Sequence, residues 1–404
     1  MRILQVNNYF AVGGGSEVVF RTSIDDLTRN GYEVTSLSSI EESTKNANSS
    51  ERHIRYSKTA NKSTFQLLES IVKFFYNWKT VNELKKLWAT WKPDIIHLHN
   101  YYGIISSSVV GFARGKKVPC IQTLHDYRLI CPISSMLDNR MRVCSKCSGG
   151  RYYHCILKRC NHSSIFRSTL SALECFFRDT CFNPLRNVSK FICVSQFQYT
   201  LMVRSFPRWK EKFIHIYNTS NIEGINALQE KGNYFLYIGR ISREKGIKTM
   251  LKAFSLTDEK IVIAGAGIQN GYEGYENAQF LGHLTKDKLL PLLKGCNYLV
   301  IPSEWYENNP LVAIEALACG KPIIGANIGG IPELIDGNGF LFQPGNVLSL
   351  ESTIKKAVSI TPSEYSRMCE SSLNKYREQF SVSKHISRVT AAYNACLANE
   401  NKEQ

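Results

Sequence analysis

Long apolar runs are missing from this chain of 404 residues. None reaches the ~18 residues that a membrane-spanning helix needs. The opening segment MRILQVNNYF alternates in character and lacks the apolar centre of a secretory leader. Both absences point to a cytoplasmic chain. No internal repeat of short period and no low-complexity tract is present, which leaves no sign of a repeat architecture. The dinucleotide fingerprint GxGxxG is absent too; the N-terminal glycines stand together as Gly13-Gly14-Gly15. Acidic residues are few beside basic ones, 34 against 50, for a formal charge of +16. Such an excess favours nucleic acid, an anionic membrane surface or phosphorylated substrates as partners. Charge alone does not choose among these, or between them and a plainly solvated basic surface.

What is present is a globular composition at a length that suits two domains of about 200 residues each. The thirteen cysteines, an odd number, read as thiols or metal ligands in a chain without an export signal. Five of them, Cys131, Cys144, Cys147, Cys155 and Cys160, crowd into one insertion, 131–160. Strand-like apolar runs alternate with helical segments along both halves. In the first half the strand candidates are Ile3–Val6, Glu33–Leu37, Asp94–Leu98, Pro119–Thr123 and Lys190–Val194. Ser16 is a candidate cap for a helix ending at Gly31. Residues 41–63 read as a polar surface loop, and Thr64–Trp91 as one helical stretch. In the second half the candidates are Tyr234–Ile238, Lys260–Ala264, Gln279–Leu281, Tyr298–Ile301, Pro322–Gly325 and Phe340–Phe342. Strands alternating with helices predict parallel sheets covered on both faces. The expected architecture is therefore α/β, with two doubly wound, Rossmann-like domains facing each other across a cleft. The boundary is expected near Ser220–Gly232, giving domains 1–220 and 221–382. The last helix, within 383–404, is a candidate to cross back onto the first domain.

The most informative segment is Ser303-Glu304-Trp305-Tyr306-Glu307-Asn308-Asn309-Pro310-Leu311-Val312-Ala313-Ile314-Glu315. Pro310 suits the first position of a helix, with Asn309 as its N-cap. Glu307 precedes that helix, and Glu315 lies about 7–8 Å along its axis from Pro310. The positive helix end between two carboxylates is a ready site for an anion. A pyrophosphate bound there would set a sugar near Glu307 and a ribose near Glu315. Taken alone, the two glutamates read equally well as a helix-start carboxylate and a surface residue.

The pair Glu307 and Glu315, with seven residues between them, resembles the paired-glutamate motif of the family 4 retaining glycosyltransferases, glycosyl transferases group 1, which have the GT-B fold. Ala318-Cys319-Gly320-Lys321-Pro322, Gly329-Gly330-Ile331-Pro332-Glu333 and Gly239-Arg240-Ile241-Ser242-Arg243-Glu244-Lys245-Gly246 are similar to that family as well. The resemblance is dense from Tyr234 to about Phe342 and sparser elsewhere. It implies that Arg240 and Lys245 neutralise the diphosphate of a nucleotide-sugar, where fixed cations stabilise the departing charge without a metal. It also implies that Glu307 binds donor-sugar hydroxyls, Glu315 the ribose, and the backbone of Asn309, Pro310 and Leu311 the phosphates. Gly14 and Gly15 correspond to a loop that closes over those phosphates. His125, just past a strand end, resembles the family histidine near the transferred sugar; a core histidine is the alternative. The implied activity is retaining, hexosyltransferase-like and metal-independent, with no cofactor and no residue assigned as nucleophile. The expected donor is a UDP-sugar or a related conjugate. The acceptor is a hydroxyl of a glycan or a lipid-linked acceptor, as in surface polysaccharide biosynthesis.

Other features stay open. His97 and His99 fall on one face of a strand, where packing is preferred to a metal pair. Cys144, Cys147, Cys155 and Cys160 could close on a structural zinc ion, remain free thiols, or do redox chemistry; typical family members do not need this insertion. Basic and aromatic residues interleave over Lys73–Trp91 and Arg167–Lys190, as on a helix at an anionic membrane surface or one packed on a sheet. Peripheral attachment at the inner face of the membrane is thus one expectation. Three rival functions compete, one of them a module of the same fold that has lost activity and serves as a binding subunit, against which the intact residue set argues. A nucleotide-sugar epimerase would need an acid–base set that the sequence does not display. A basic nucleic-acid-binding protein with a zinc module would leave Arg240, Lys245, Glu307 and Glu315 unexplained, and no nucleic acid partner is expected.

Overall fold

The computed structural model of the chain describes residues 1–10, 14–41, 51–56, 64–222, 231–267, 271–272 and 274–403. Gly13, most of the polar stretch 41–63, residues 223–230 of the expected boundary and Gln404 lie outside them. Thirteen strands among the described residues form two parallel sheets. The first contains β1 (Arg2–Tyr9), β2 (Glu33–Glu41), β3 (Glu51–Tyr56), β4 (Ile95–Leu98), β5 (Cys120–Leu124), β6 (Lys190–Cys193) and β7 (Phe213–His215), in the order β3-β2-β1-β4-β5-β6-β7. The second contains β8 (Phe235–Ile238), β9 (Ile261–Ala264), β10 (Ala278–Gly282), β11 (Leu299–Ile301), β12 (Ile323–Ala326) and β13 (Gly339–Phe342), in the order β10-β9-β8-β11-β12-β13. Both orders reverse direction once, between β1 and β4 and between β8 and β11. A doubly wound sheet opens a crevice at such a reversal, outside the carboxyl ends of its strands.

Alternation along the strands builds the first domain's core on two faces. Ile3, Ile95, Ile121 and Ile192 point to one side, where Leu27 and the residues Ile386, Val389, Tyr393 and Cys396 cover them. Leu4, Ile96, Cys120 and Phe191 point to the other side, against Leu84, Leu87, Val109 and Met202. The last helix, Val382–Glu403, therefore packs on the sheet of the first domain although it follows the second in sequence. Two chain crossings run side by side at this place. Thr219 Oγ1 donates to Phe380 O at 2.7 Å, and Tyr376 OH donates to Ser220 O at 3.0 Å.

Several elements differ from the sequence expectation. The stretch 41–63 contains β3, which pairs with β2 from Ser36↔Glu51 to Glu41↔Tyr56. An edge strand needs backbone partners on one side only, so polar residues carry no apolar pattern there. The helical stretch Thr64–Trp91 is two helices, Thr64–Phe75 and Trp78–Thr90. Asn77 breaks it: its buried carboxamide accepts from Lys79 N at 3.0 Å and donates to Ile104 O at 2.5 Å. The N-terminal helix spans Gly15–Arg29, capped by the backbone of Gly14 rather than by the side chain of Ser16. Among the described residues no helix is long and apolar enough to cross a membrane.

Candidate functional site

The two crevices face each other and form one cleft of about 920 Å³. From the first domain it is lined by Gly14 and Gly15 after β1, Asn100 after β4, and His125 and Asp126 after β5. From the second it is lined by Arg240 and Lys245 after β8, and by Glu307, Asn308, Asn309, Pro310 and Leu311 after β11. Nine of the ten residues singled out in the sequence meet here. Glu315 does not line this cleft. It sits one face further along the helix Leu311–Ala318, with Ser220 Oγ donating to its Oε1 at 3.4 Å. Burial raises the pKa of Glu315, opposed by the charge of Lys286 and the Ser220 hydrogen bond.

Glu307 is the best-anchored group. Its Oε1 accepts from Lys245 Nζ at 2.5 Å, Ser303 Oγ at 2.8 Å and Trp305 Nε1 at 2.8 Å. Burial pushes its pKa up, but the Lys245 charge and these three donors outweigh it and hold the carboxyl below the usual range. Three donors converge on one oxygen, which orients the carboxylate and leaves Oε2 without any of them. The turn Arg243–Lys245 delivers the lysine because Gly246 follows at φ +72°, where a Cβ would stand 1.9 Å from Pro302 O. Only glycine permits that approach. Arg240 is 64% exposed on its side chain and pairs with Glu244 at 3.3 Å, so its guanidinium stands at the rim.

The cap of the helix Leu311–Ala318 differs from expectation. Pro310, with ψ 120°, is itself the cap residue, and Asn309 makes no cap bond. Instead Asn309 Oδ1 accepts from Asn218 N at 3.0 Å, tying the loop before the helix Leu311–Ala318 to the chain crossing between the domains. Asn308 reaches the first domain directly, donating from Nδ2 to His125 O at 2.9 Å. Three polar atoms around this junction, Asn308 Oδ1, Asn309 Nδ2 and Asn218 Oδ1, are buried without a hydrogen-bond partner among the described residues. Orphaned buried amides are uncommon, and a polar ligand in the cleft would satisfy them.

His125 ends a buried polar chain. Its Nε2 is 2.8 Å from His99 Nδ1, and His99 Nε2 is 2.7 Å from Gln5 Oε1. A carbonyl oxygen only accepts, so His99 carries its proton on Nε2 and accepts on Nδ1. His125 then donates from Nε2 and keeps Nδ1 unprotonated. Gln5 Nε2 donates to Tyr393 OH at 3.3 Å, and Tyr393 OH lies 2.6 Å from His97 Nδ1. The rings of His97, His99 and His125 stack at 4.5 and 5.0 Å. Burial lowers the pKa of His97 and His125 to about 3. His97 and His99 are buried in the sheet, with their ring nitrogens engaged by Tyr393, Thr123, His125 and Gln5.

Among the described residues no group of three or more His, Cys, Asp or Glu is arranged to hold a metal ion. Cys147, Cys155 and Cys175 pack with Tyr152 and Ala172 in a small apolar cluster, and burial pushes the Cys147 thiol up to about 12. Cys144 stays half-buried, 3.6 Å from Lys158 Nζ. All four candidate ligands, Cys144, Cys147, Cys155 and Cys160, are free thiols.

Sequence reasoning missed several lining residues: Tyr9, Ser16, Glu17, Asn218 and Trp305. Glu17 had a local signal, an acidic residue in the first turn of a helix that follows a glycine run. Asn218 had none, because it enters through the crossing between the domains.

Comparison with known proteins bears on the family and the fold. The model of Glycosyltransferase Family 4 matches residues 13–223, and that of Glycosyl transferases group 1 matches residues 218–374. An uncharacterized glycosyltransferase of Methanocaldococcus jannaschii is 28% identical over 220 residues, 51% of this chain and 60% of that protein. The chain thus spans less than two thirds of that relative. An uncharacterized protein in the cps region of Klebsiella pneumoniae is 25% identical over 361 residues, 83% of this chain and 87% of that protein. Among solved structures, Anabaena HepE in complex with UDP superposes with a TM-score of 0.66 at 16% identity, over 98% of this chain and 100% of that one. The sheets, the cleft and both family matches lead to one assignment: the chain belongs to the family 4, group 1 glycosyltransferases and has their two-domain GT-B fold.

Proposed function

We propose that the protein transfers a sugar, with retention of anomeric configuration, from a nucleotide diphosphate-sugar to a hydroxyl of a glycan or lipid-linked acceptor. UDP is the first carrier to test, since HepE, of the same fold, was crystallised with it. The relative in the cps region supports a place in surface polysaccharide synthesis. The observation that carries the reading is the Lys245–Glu307 pair beside the amino end of the helix Leu311–Ala318, across the cleft from His125. In this reading the diphosphate lies against Lys245, Arg240 and the free amides at Leu311 and Val312, with Gly14 and Gly15 closing from the other side. Glu307 Oε2 accepts from hydroxyls of the donor sugar, and the unprotonated Nδ1 of His125 accepts from another. Glu315, raised by burial, is satisfied by ribose hydroxyls. Charge grows on the leaving phosphate as the glycosidic bond breaks, and Lys245 and Arg240 stabilise it in place of a metal. The acceptor enters on the side of the first domain, which would work at the inner face of the membrane.

A thermal-shift series with UDP, GDP, ADP and their sugar conjugates, without added metal, tests this reading. One nucleotide should raise the melting temperature of the protein, and Glu315→Ala should abolish that rise while leaving the unliganded protein folded. No shift with any nucleotide overturns it.

A further inference from the structure

Two helices of the first domain are built inside out. On Ile165–Phe177 the inward residues are small or polar, Ser168, Ser171, Ala172 and Cys175, whereas Phe166, Leu173 and Phe176 face outward. The spacing of the outward set places it on one helix face. The helix Thr64–Phe75 has no buried residue at all. Its Phe65, Leu68 and Val72, at helical spacing, are 77%, 58% and 53% exposed. A helix in contact with water only shows the opposite pattern. The two helices touch, with Phe75 edge-on to Phe177 at 5.5 Å. The short helix Tyr153–Leu157 extends the surface with Leu157, 73% exposed.

The charge around this surface is mostly positive, and Glu69 on the helix Thr64–Phe75 is paired with Lys73. From Asn139 to Phe177 the only acidic residue is Glu174, and it is buried against Arg128 at 2.7 Å. Arg140, Arg142, Lys146, Arg151, Arg159 and Arg167 in the same segment are exposed. A second copy of this chain would bring like charge onto like charge, which disfavours self-association. Outward leucines and phenylalanines rimmed by cations match a bilayer with anionic headgroups, where apolar side chains enter the acyl boundary and each cation gains from the surface potential. The stretches expected from sequence overlap this surface only in part: Phe176 of Arg167–Lys190 lies on it, whereas Phe182 is buried and, in Lys73–Trp91, Leu84 and Leu87 pack in the core.

We infer that the face formed by the helices Thr64–Phe75 and Ile165–Phe177, with the basic cysteine insertion beside it, seats the first domain on an anionic lipid surface. The seat is wired to the cleft. Glu174 on the outer helix holds Arg128, whose guanidinium also lies 6.0 Å from the Phe74 ring. Arg128 is three residues past His125 and donates its backbone N–H to Asp126 at 2.8 Å. A lipid-linked acceptor would thus be presented beside the acceptor side of the cleft. That last step rests on the proposed function, whereas the surface stands without it.

Sedimentation of the full chain with phosphatidylcholine vesicles, with and without phosphatidylglycerol, tests the inference. The protein should pellet with the phosphatidylglycerol vesicles and be released by high salt. The double variant Phe65→Glu, Phe166→Glu should bind at least about tenfold more weakly, and so should Arg151→Glu, Arg159→Glu. Both should keep the wild-type melting temperature and its shift with nucleotide, which separates failure of this surface from failure of the transferase reading. Three outcomes overturn the inference: no pelleting by folded wild-type protein, equal binding by both variants, or a dimer in light scattering that the Phe65, Phe166 variant dissolves.

Discussion

The two sheets share one strand order, yet their central strands are filled differently. In the second domain β8, β9, β11 and β12 read FLYI, IVIA, LVI and IIGA and are almost wholly buried. Such runs are what a parallel sheet covered on both faces demands. Its candidate site residues stand on the loops that follow, with Lys245 and Glu307 brought together from the ends of β8 and β11. In the first domain the corresponding strands place Gln5, His97, His99, Gln122 and Thr123 in the interior. Gln5, His97, His99 and Thr123 are joined by hydrogen bonds to one another and to Tyr393 on the last helix, while Gln122 donates to Tyr102 OH at 2.9 Å. One domain is thus a rigid apolar platform with a charged rim, and the other carries a polar relay through its sheet to His125. The same topology serves both because the crevice position depends on strand order, not on what the strands contain.

The comparison breaks most visibly at Glu307. Glu307→Gln keeps the shape but removes the charge that Lys245, Ser303 and Trp305 orient, and transfer should fall about a hundredfold or more, an effect of about 3 kcal/mol. A rate assay with the donor found by thermal shift checks this; unchanged turnover would move the chemistry away from the second domain. Next in size is Gly246→Ala. A Cβ there meets Pro302 O at 1.9 Å with φ at +72°, so denaturant unfolding should show a loss of about 2–3 kcal/mol. Retained stability would mean that the turn bearing Lys245 is less tightly held than the platform view requires.

The smallest effect distinguishes the relay. His97 is buried with its pKa lowered from 6.5 to about 3, by burial first and by the nearby His125 and His385. Between those values the unfolded chain binds a proton that the folded chain does not. Stability contributed by the neutral ring is therefore full above about pH 6.5 and is lost as pH falls toward 3. At pH 5 His97 alone should cost about 2 kcal/mol. Melting temperatures recorded from pH 7.5 to 5 should fall, and His97→Gln should flatten the fall. A profile that does not change across this range would show that the ring reaches water.

Much of the second domain is legible in the sequence, because its strands are continuous apolar runs between helices with clear periodicity. Glu307, Lys245, Arg240 and Pro310 stand in short motifs that fold locally, so their neighbourhood can be read in one dimension. The first domain is harder. β3 is polar at an edge, Asn77 breaks a helix through a partner at Ile104, and the outward stripe of Ile165–Phe177 looks like an ordinary amphipathic helix until its inner face is known. The cysteine spacing fits zinc, but spacing along the chain does not say where the thiols point.

Composition and pattern by themselves determined two parallel α/β domains, the positive charge and the motif residues of the second domain, since each depends on nearest neighbours in sequence. Only the tertiary structure decided that His125 is held through His99 and Gln5, that Asn218 and Asn309 join at the cleft, and which helical face stays uncovered. Each of these links residues far apart in the chain, and their partners are chosen by packing, which no local rule of propensity or spacing encodes.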